Sequence, residues 1–275
     1  MKRLALVKPV LVVAMLGAGS AQAAPDAASV LEASPIDDIV EQYPAMLSQG
    51  IREGLKQRGQ VPPMVADTVG YVVSSSFSAD KIEQQIITDL QAQLTDEQLQ
   101  AVSEWYQTPV ARKISSAEIA ASAPEAWPQI QASAPELNRK YKGAPKAEMF
   151  DRFDRAARAT ESAVDTTIAV QLGLATAMSA LSSESMHYEQ LERRIENQRG
   201  MLRGVVGQQV YDSYLYTYDK ISAQELALYL DFLESPAGKQ FSQVVTSSIQ
   251  QAIMEPVESI GRQISRFMAP PAGSE

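Results

Sequence analysis

The chain has 275 residues, 24 Lys+Arg against 33 Asp+Glu, a single His and no Cys, for a net charge of −9 at pH 7. An acidic chain with no basic stripe interleaved with aromatics repels phosphate backbones, which argues against nucleic-acid binding. Without cysteine there is no disulfide framework, lipoprotein anchor or thiol chemistry.

Residues 1–23 carry the parts of a cleavable secretory signal. Lys2, Arg3 and Lys8 form a basic start, Pro9 to Gly19 an apolar stretch, and Ala21-Gln22-Ala23 a small-x-small site that predicts cleavage after Ala23. The apolar stretch is too short to span a bilayer. The expected location is therefore periplasmic, with no membrane insertion once the signal is gone. The mature chain, residues 24–275, holds 21 basic against 33 acidic residues, net −12, and must rely on its hydrophobic core.

Residues 24–34 read as a flexible leader, with Ser34-Pro35 as a cap-plus-proline start for the next helix. Ile36, Ile39, Val40, Tyr43, Leu47, Ile51 and Leu55 recur at helical spacing and predict a helix of about 24 residues, kinked at Pro44. A turn at Val61-Pro62-Pro63 and a helix over Met64–Ser76 come next. Ser78 then opens a helix with Ile82, Ile86, Leu90 and Leu94 on one face.

Residues 94–114 (LTDEQLQAVSEWYQTPVARKI) and 221–241 (ISAQELALYLDFLESPAGKQF) read as two versions of one segment, 127 residues apart with no gap. An internal repeat fixes architecture before single residues are weighed. Thr95 with Gln98, and Ser222 with Glu225, fit the capping box, in which the hydroxyl takes an orphan backbone N–H and the Glu/Gln side chain reaches back to the cap. Further on come Thr108-Pro109 and Ser235-Pro236, a hydroxyl N-cap followed by a proline at the first position of a new helix. Each copy is thus a capped helix, a sharp corner and a second helix. Leu99, Val102, Trp105 and Tyr106 in the first copy, and Leu226, Tyr229, Leu230 and Leu233 in the second, form the expected buried stripe, and Phe232 matches Trp105 in residue class.

These residues carry a resemblance. Glu225-Leu226, Phe232-Leu233 and Ser235-Pro236-Ala237-Gly238-Lys239 resemble the bacterial domain-of-unknown-function 2059 family, as two tandem copies of which the second matches more closely. The second copy has Leu233 where the family tends to have Tyr. The first has Trp105-Tyr106, but Ala111 and Arg112 in place of Gly and Lys. The resemblance implies a small exported helical protein and defines no catalytic residue.

Pro124, Pro128 and Pro135 predict short helical pieces as far as Tyr141, and residues 142–146 (KGAPK) read as a linker. This divides the mature chain into a helical half over 35–141 and another over 147–268, followed by a disordered tail over 269–275. A long helix is expected from Phe150 to about Leu181. Its charge-free run Thr166–Ser183 contains Gln171, Gly173 and several Thr and Ser, so it suits the centre of a bundle better than a membrane. Glu184 to Arg203 reads as a charged outer helix, and the final helix is expected to be interrupted near Pro256. The fold class is all-α, two tandem related helical-bundle halves.

The inventory for chemistry is thin. Nucleophile–base pairs reduce to constellations on His187, which sits in a charged helix start and reads as a surface residue. No zinc, EF-hand or phosphate-loop pattern is present, so no metal or cofactor is expected. Asp151 and Asp154 fall on the polar side of an amphipathic helix. Tyr211, Tyr214 and Tyr218, spaced i, i+3 and i+7, share a helix face. They read as an aromatic seam, or alternatively as a candidate binding surface for a peptide or sugar. The sequence therefore favours a non-enzymatic binding module for an unknown protein, peptide or envelope polymer. The alternatives are a carboxylate-based envelope hydrolase or lyase, and a structural or stress-related envelope protein.

Overall fold

The computed structural model describes residues 24–58, 64, 67, 68, 70, 71, 75, 77–181 and 188–268. The signal, the tail over 269–275, His187 and most of the expected Met64–Ser76 helix lie outside the described residues. Every regular element described is a helix.

The expected leader is the first correction. α1, Ala27–Ala33, is capped by Asp26, whose carboxylate accepts from the Ser29 N–H at 2.8 Å. Its Val30 and Leu31 are fully buried in the core. The small, Ala-rich stretch reads as loose only while its two large apolar side chains lack partners. α2, Ile36–Arg58, carries Pro44 inside it. α3, Ala79–Gln93, is capped by Ser78 and buries Ile82, Ile86 and Leu90.

α4, Asp96–Tyr106, and α5, Pro109–Ser122, form the first corner. α6, Ala126–Tyr141, holds Pro128 and Pro135 in one continuous helix, against the expected fragmentation. Pro128 falls in the first turn, where N–H groups have no intrahelical partner, and Pro135 removes only one bond from a helix packed on the core. Gly143 turns the chain with φ +71°, a left-handed conformation that glycine adopts without steric cost.

α7, Pro145–Glu148, and α8, Phe150–Ala157, lead to Arg158 in the left-handed region at φ 52°. That residue breaks the expected single helix from Phe150, and α9, Ala159–Leu181, starts anew. Asp154 accepts from the Thr160 N–H at 2.7 Å, so it caps α9 and is not merely a solvated charge. α10, Tyr188–Glu196, is followed by α11, Arg199–Thr217. α12, Ala223–Glu234, and α13, Pro236–Met268, form the second corner, with α13 a single element through residue 256.

The halves do not build separate cores. One apolar cluster takes Val30 and Leu31 from α1, Ile86 and Leu90 from α3, Leu99 and Val102 from α4, Leu226 and Leu230 from α12, and Phe241 and Val244 from α13. At about 1.5–3 kcal/mol for each fully buried Leu, Ile or Val, this shared cluster ties the residues before Gly143 to those after it. A smaller cluster of Val164, Ile168, Leu172, Leu191, Ile195 and Val206 joins α9, α10 and α11. The first part of the charge-free run is thus buried in a bundle. Among the described residues, no helix is long and apolar enough to cross a membrane.

Candidate functional site

The two corners form as their sequences dictate. Thr95 and Ser222 each accept from the backbone N–H three residues on, at 3.3 and 3.2 Å. The Gln98 and Glu225 side chains return to the cap N–H at 3.0 and 2.7 Å, completing both capping boxes. Thr108 accepts from the Ala111 N–H at 3.1 Å, and Ser235 from the Gly238 N–H at 3.1 Å, with Pro109 and Pro236 heading the new helices. Gly238 is required by its own corner: a Cβ there would lie 2.0 Å from the Phe232 carbonyl oxygen. The obstacle is the end of the preceding helix and not a neighbouring one. Lys239 is exposed on the first turn of α13.

The corners interlock. α13 packs on α4 and α12 on α5, so each exit helix meets the other corner's entry helix. Trp105 stacks on Phe232 and Tyr229, while Tyr106 meets Phe232 and Phe241 edge to face. The Lys113 ammonium of α5 donates to both Glu225 carboxylate oxygens at 2.7 and 2.8 Å. Glu225 therefore serves the second capping box and the tie to the first corner together. Donation from Lys113 and from the Ser222 backbone and hydroxyl holds its carboxyl at about 2.

Beside this tie lies an open pocket of about 430 Å³. Its walls come from Lys113 of α5, Tyr141, the turn at Ala144-Pro145, Lys146, and the segment Asp219–Ala223 with Glu225. Lys146 belongs to the stretch read as a linker, yet it is only 7% exposed. Its ammonium donates to the Tyr218 carbonyl at 2.7 Å, the Asp219 carbonyl at 3.1 Å and the Tyr141 hydroxyl at 3.3 Å. It thus satisfies carbonyls at the C-terminal end of α11, where a positive charge suits the helix dipole. Burial pushes the Lys146 ammonium down from its usual range, against the opposing pull of Asp219.

Asp219 accepts from Lys140 at 2.6 Å and from the Tyr141 hydroxyl at 2.7 Å. Burial pushes its carboxyl up, but these partners outweigh it and hold the group below the usual carboxylate range. Glu118, which does not line the pocket, accepts from the Tyr218 hydroxyl at 2.6 Å. Burial raises this carboxyl, and the phenols of Tyr218 and Tyr229 only partly restore the charged form.

Tyr211, Tyr214 and Tyr218 share a face, with Tyr214 and Tyr218 each 2% exposed and Tyr211 half-buried, so the face turns largely into the core. They build an aromatic seam: Phe150 against Tyr211 and Tyr214, Phe153 against Tyr214 and Tyr218, and Tyr218 against Tyr229. Their hydroxyls are used internally, Tyr214 donating to the Lys146 carbonyl at 2.7 Å. Lys113, Lys140, Tyr141, Lys146 and Asp219 were not among the expected site residues. No spacing signal marks them, because each has a partner tens of residues away. Among the described residues, no group of three or more His, Asp or Glu is placed to hold a metal.

The fold and pocket define an all-helical protein built around two interlocked cap–helix–corner–helix segments. Residues 80–140 match the family model described as "Uncharacterized protein conserved in bacteria (DUF2059)", and the similarity to this family is confined to that segment. The match spans α3 to α6 and includes the first corner; the second corner, expected to be the closer copy, lies outside the matched residues. No curated protein and no solved structure matches the chain.

Proposed function

We propose that this is an exported periplasmic protein that acts by binding, and that its ligand sits in the pocket between the two corners. We further propose that the corners are tandem copies of one unit. The observation that carries the binding reading is the state of the pocket's carboxylates. Glu225 and Asp219 are both held ionised, below their ordinary range, by fixed ammonium and hydroxyl partners. A general acid or base works best with a pKa near the operating pH, and these two are tuned away from it. With their oxygens taken by Lys113, Ser222, Lys140 and Tyr141, the two carboxylates are better placed to orient their neighbours than to exchange protons. Glu118 has the raised carboxyl an acid catalyst would need, but it is hydrogen-bonded to Tyr218 and is not in the pocket wall.

Native mass spectrometry of the protein purified from its own envelope fraction tests this reading. The expected mass begins at Ala24 and carries a bound small molecule that Ala144→Trp, which fills the pocket, removes. An intact Met1 would overturn export. A ligand-free protein that turns over an envelope polymer, and loses that turnover in Glu225→Gln, would overturn binding in favour of catalysis.

A further inference from the structure

The charges around the pocket do not balance. Lys113 is matched by Glu225 and Lys140 by Asp219, as ion pairs of 2.7 and 2.6 Å. Lys146 makes no ion pair among the described residues: its three protons go to two carbonyls and a phenol, all neutral. Lys220, exposed on the rim, adds a second cation. A nine-tenths-buried ammonium needs a full countercharge, and Asp219, already paired with Lys140, together with the partial negative charge at the α11 C-terminus supplies only part of one. The imbalance is local and runs against the chain, whose net charge is −9.

We propose that the pocket takes a small oxyanion, a carboxylate or phosphate group, drawn by the unbalanced charge of Lys146 and Lys220. This rests on the binding reading above. Lys146 cannot turn a proton toward the ligand without releasing the α11 carbonyls, so it supplies field rather than a hydrogen bond. The donors come from Lys220 and from the backbone N–H of Ala223, which opens α12 and has no intrahelical acceptor. Glu225 already occupies the N-terminus of α12, so the anion lies beside it, toward Lys220 and Tyr141. Both Ser222 hydroxyl contacts are internal, to Glu225.

The test is amide-shift mapping of the purified protein against three probes: inorganic phosphate, dimethyl phosphate and ethylammonium. The expected result is saturable shifts at Ile221, Ser222 and Ala223 with the phosphates and none with ethylammonium. Raising the salt should weaken binding, since exposed charges are screened. Lys220→Gln, a rim substitution that leaves the fold alone, should weaken phosphate about threefold, and Lys220→Glu more. Preference for inorganic phosphate marks a free or terminal group, and preference for the diester an in-chain one; either supports the proposal. Ethylammonium shifting the same amides would overturn the oxyanion while leaving the pocket as a binding site. Phosphate shifts elsewhere, or shifts indifferent to Lys220→Glu, would overturn the proposal as an adventitious ion only. No shift with any of the probes would also overturn it, whereas the native mass measurement judges the pocket itself.

Discussion

Trp105 and Phe232 stand 127 positions apart at matching places in the two corners, and their rings stack on each other with centroids 4.8 Å apart and planes 9° from parallel. Matching positions in mutual contact are what a two-fold, self-complementary interface produces. The exchange of exit and entry helices between corners has the same logic. Under the proposed duplication, matching rings of the two copies meet each other, with the pocket beside them. If the stack joins the corners, Trp105→Ala and Phe232→Ala should each cost about 2–4 kcal/mol, with a coupling of about 1 kcal/mol in the double mutant. Urea melts of the four proteins give that number; strict additivity would mean that the rings merely fill space.

The glycine of the second corner gives a sharper contrast. Gly238→Ala gains helix propensity but places its Cβ 2.0 Å from the Phe232 carbonyl oxygen, so it should destabilise by about 2 kcal/mol or more. Its counterpart Ala111 is buried in a corner that already accepts a methyl, and Ala111→Gly should lose about 1 kcal/mol through flexibility. A thermal melt showing Gly238→Ala to be stabilised would contradict the geometry of this corner.

The caps should behave as local devices. Thr95→Ala and Ser222→Ala should each cost about 1 kcal/mol, because an orphan backbone donor at the helix start loses its acceptor. Ser222 should cost the more of the two, since its N–H and hydroxyl also fix the Glu225 carboxylate that Lys113 grips. Equal losses in paired denaturant melts would show that the tie across the corners adds nothing to the cap.

Stability should depend on pH in opposite senses at two carboxyls. Glu225 is lowered from 4.5 to about 2, so its contribution is complete above about 4.5 and is lost as pH falls toward 2. Lys113→Gln should flatten that acid limb. Glu118 is raised, so the native state binds its proton more tightly. Its effect is most favourable below the ordinary carboxyl range and is lost as pH rises through the higher folded value. Glu118→Gln should therefore help most near neutrality and least in acid. Unfolding curves from pH 2 to 8 separate the two, and parallel curves for the wild type and Glu118→Gln would remove Glu118 from the account.

What was legible in the sequence is what three or four residues decide. Thr95/Gln98, Ser222/Glu225, Thr108-Pro109 and Ser235-Pro236 act over a single turn, and each forms as its spacing requires. Helix faces were legible too, but not what they face: Tyr214 and Tyr218 share a side as expected, and that side turns inward onto Phe153. The leader became α1 because Val30 and Leu31 meet a core assembled from distant helices. Lys146 looked like linker composition, and only folding brings the carbonyls of Tyr218 and Asp219 to it, more than 70 residues on. Such long-range pairings leave no periodicity to read.

The binding reading is tested most directly by mapping amide shifts of the purified protein against the small-solute fraction of the cells that produce it. The account predicts saturable shifts confined to Tyr141, Ala144, Lys146 and residues 221–223, with the solute recovered unchanged and the shifts abolished by Ala144→Trp. Shifts centred elsewhere, or a solute consumed during the titration, would contradict it.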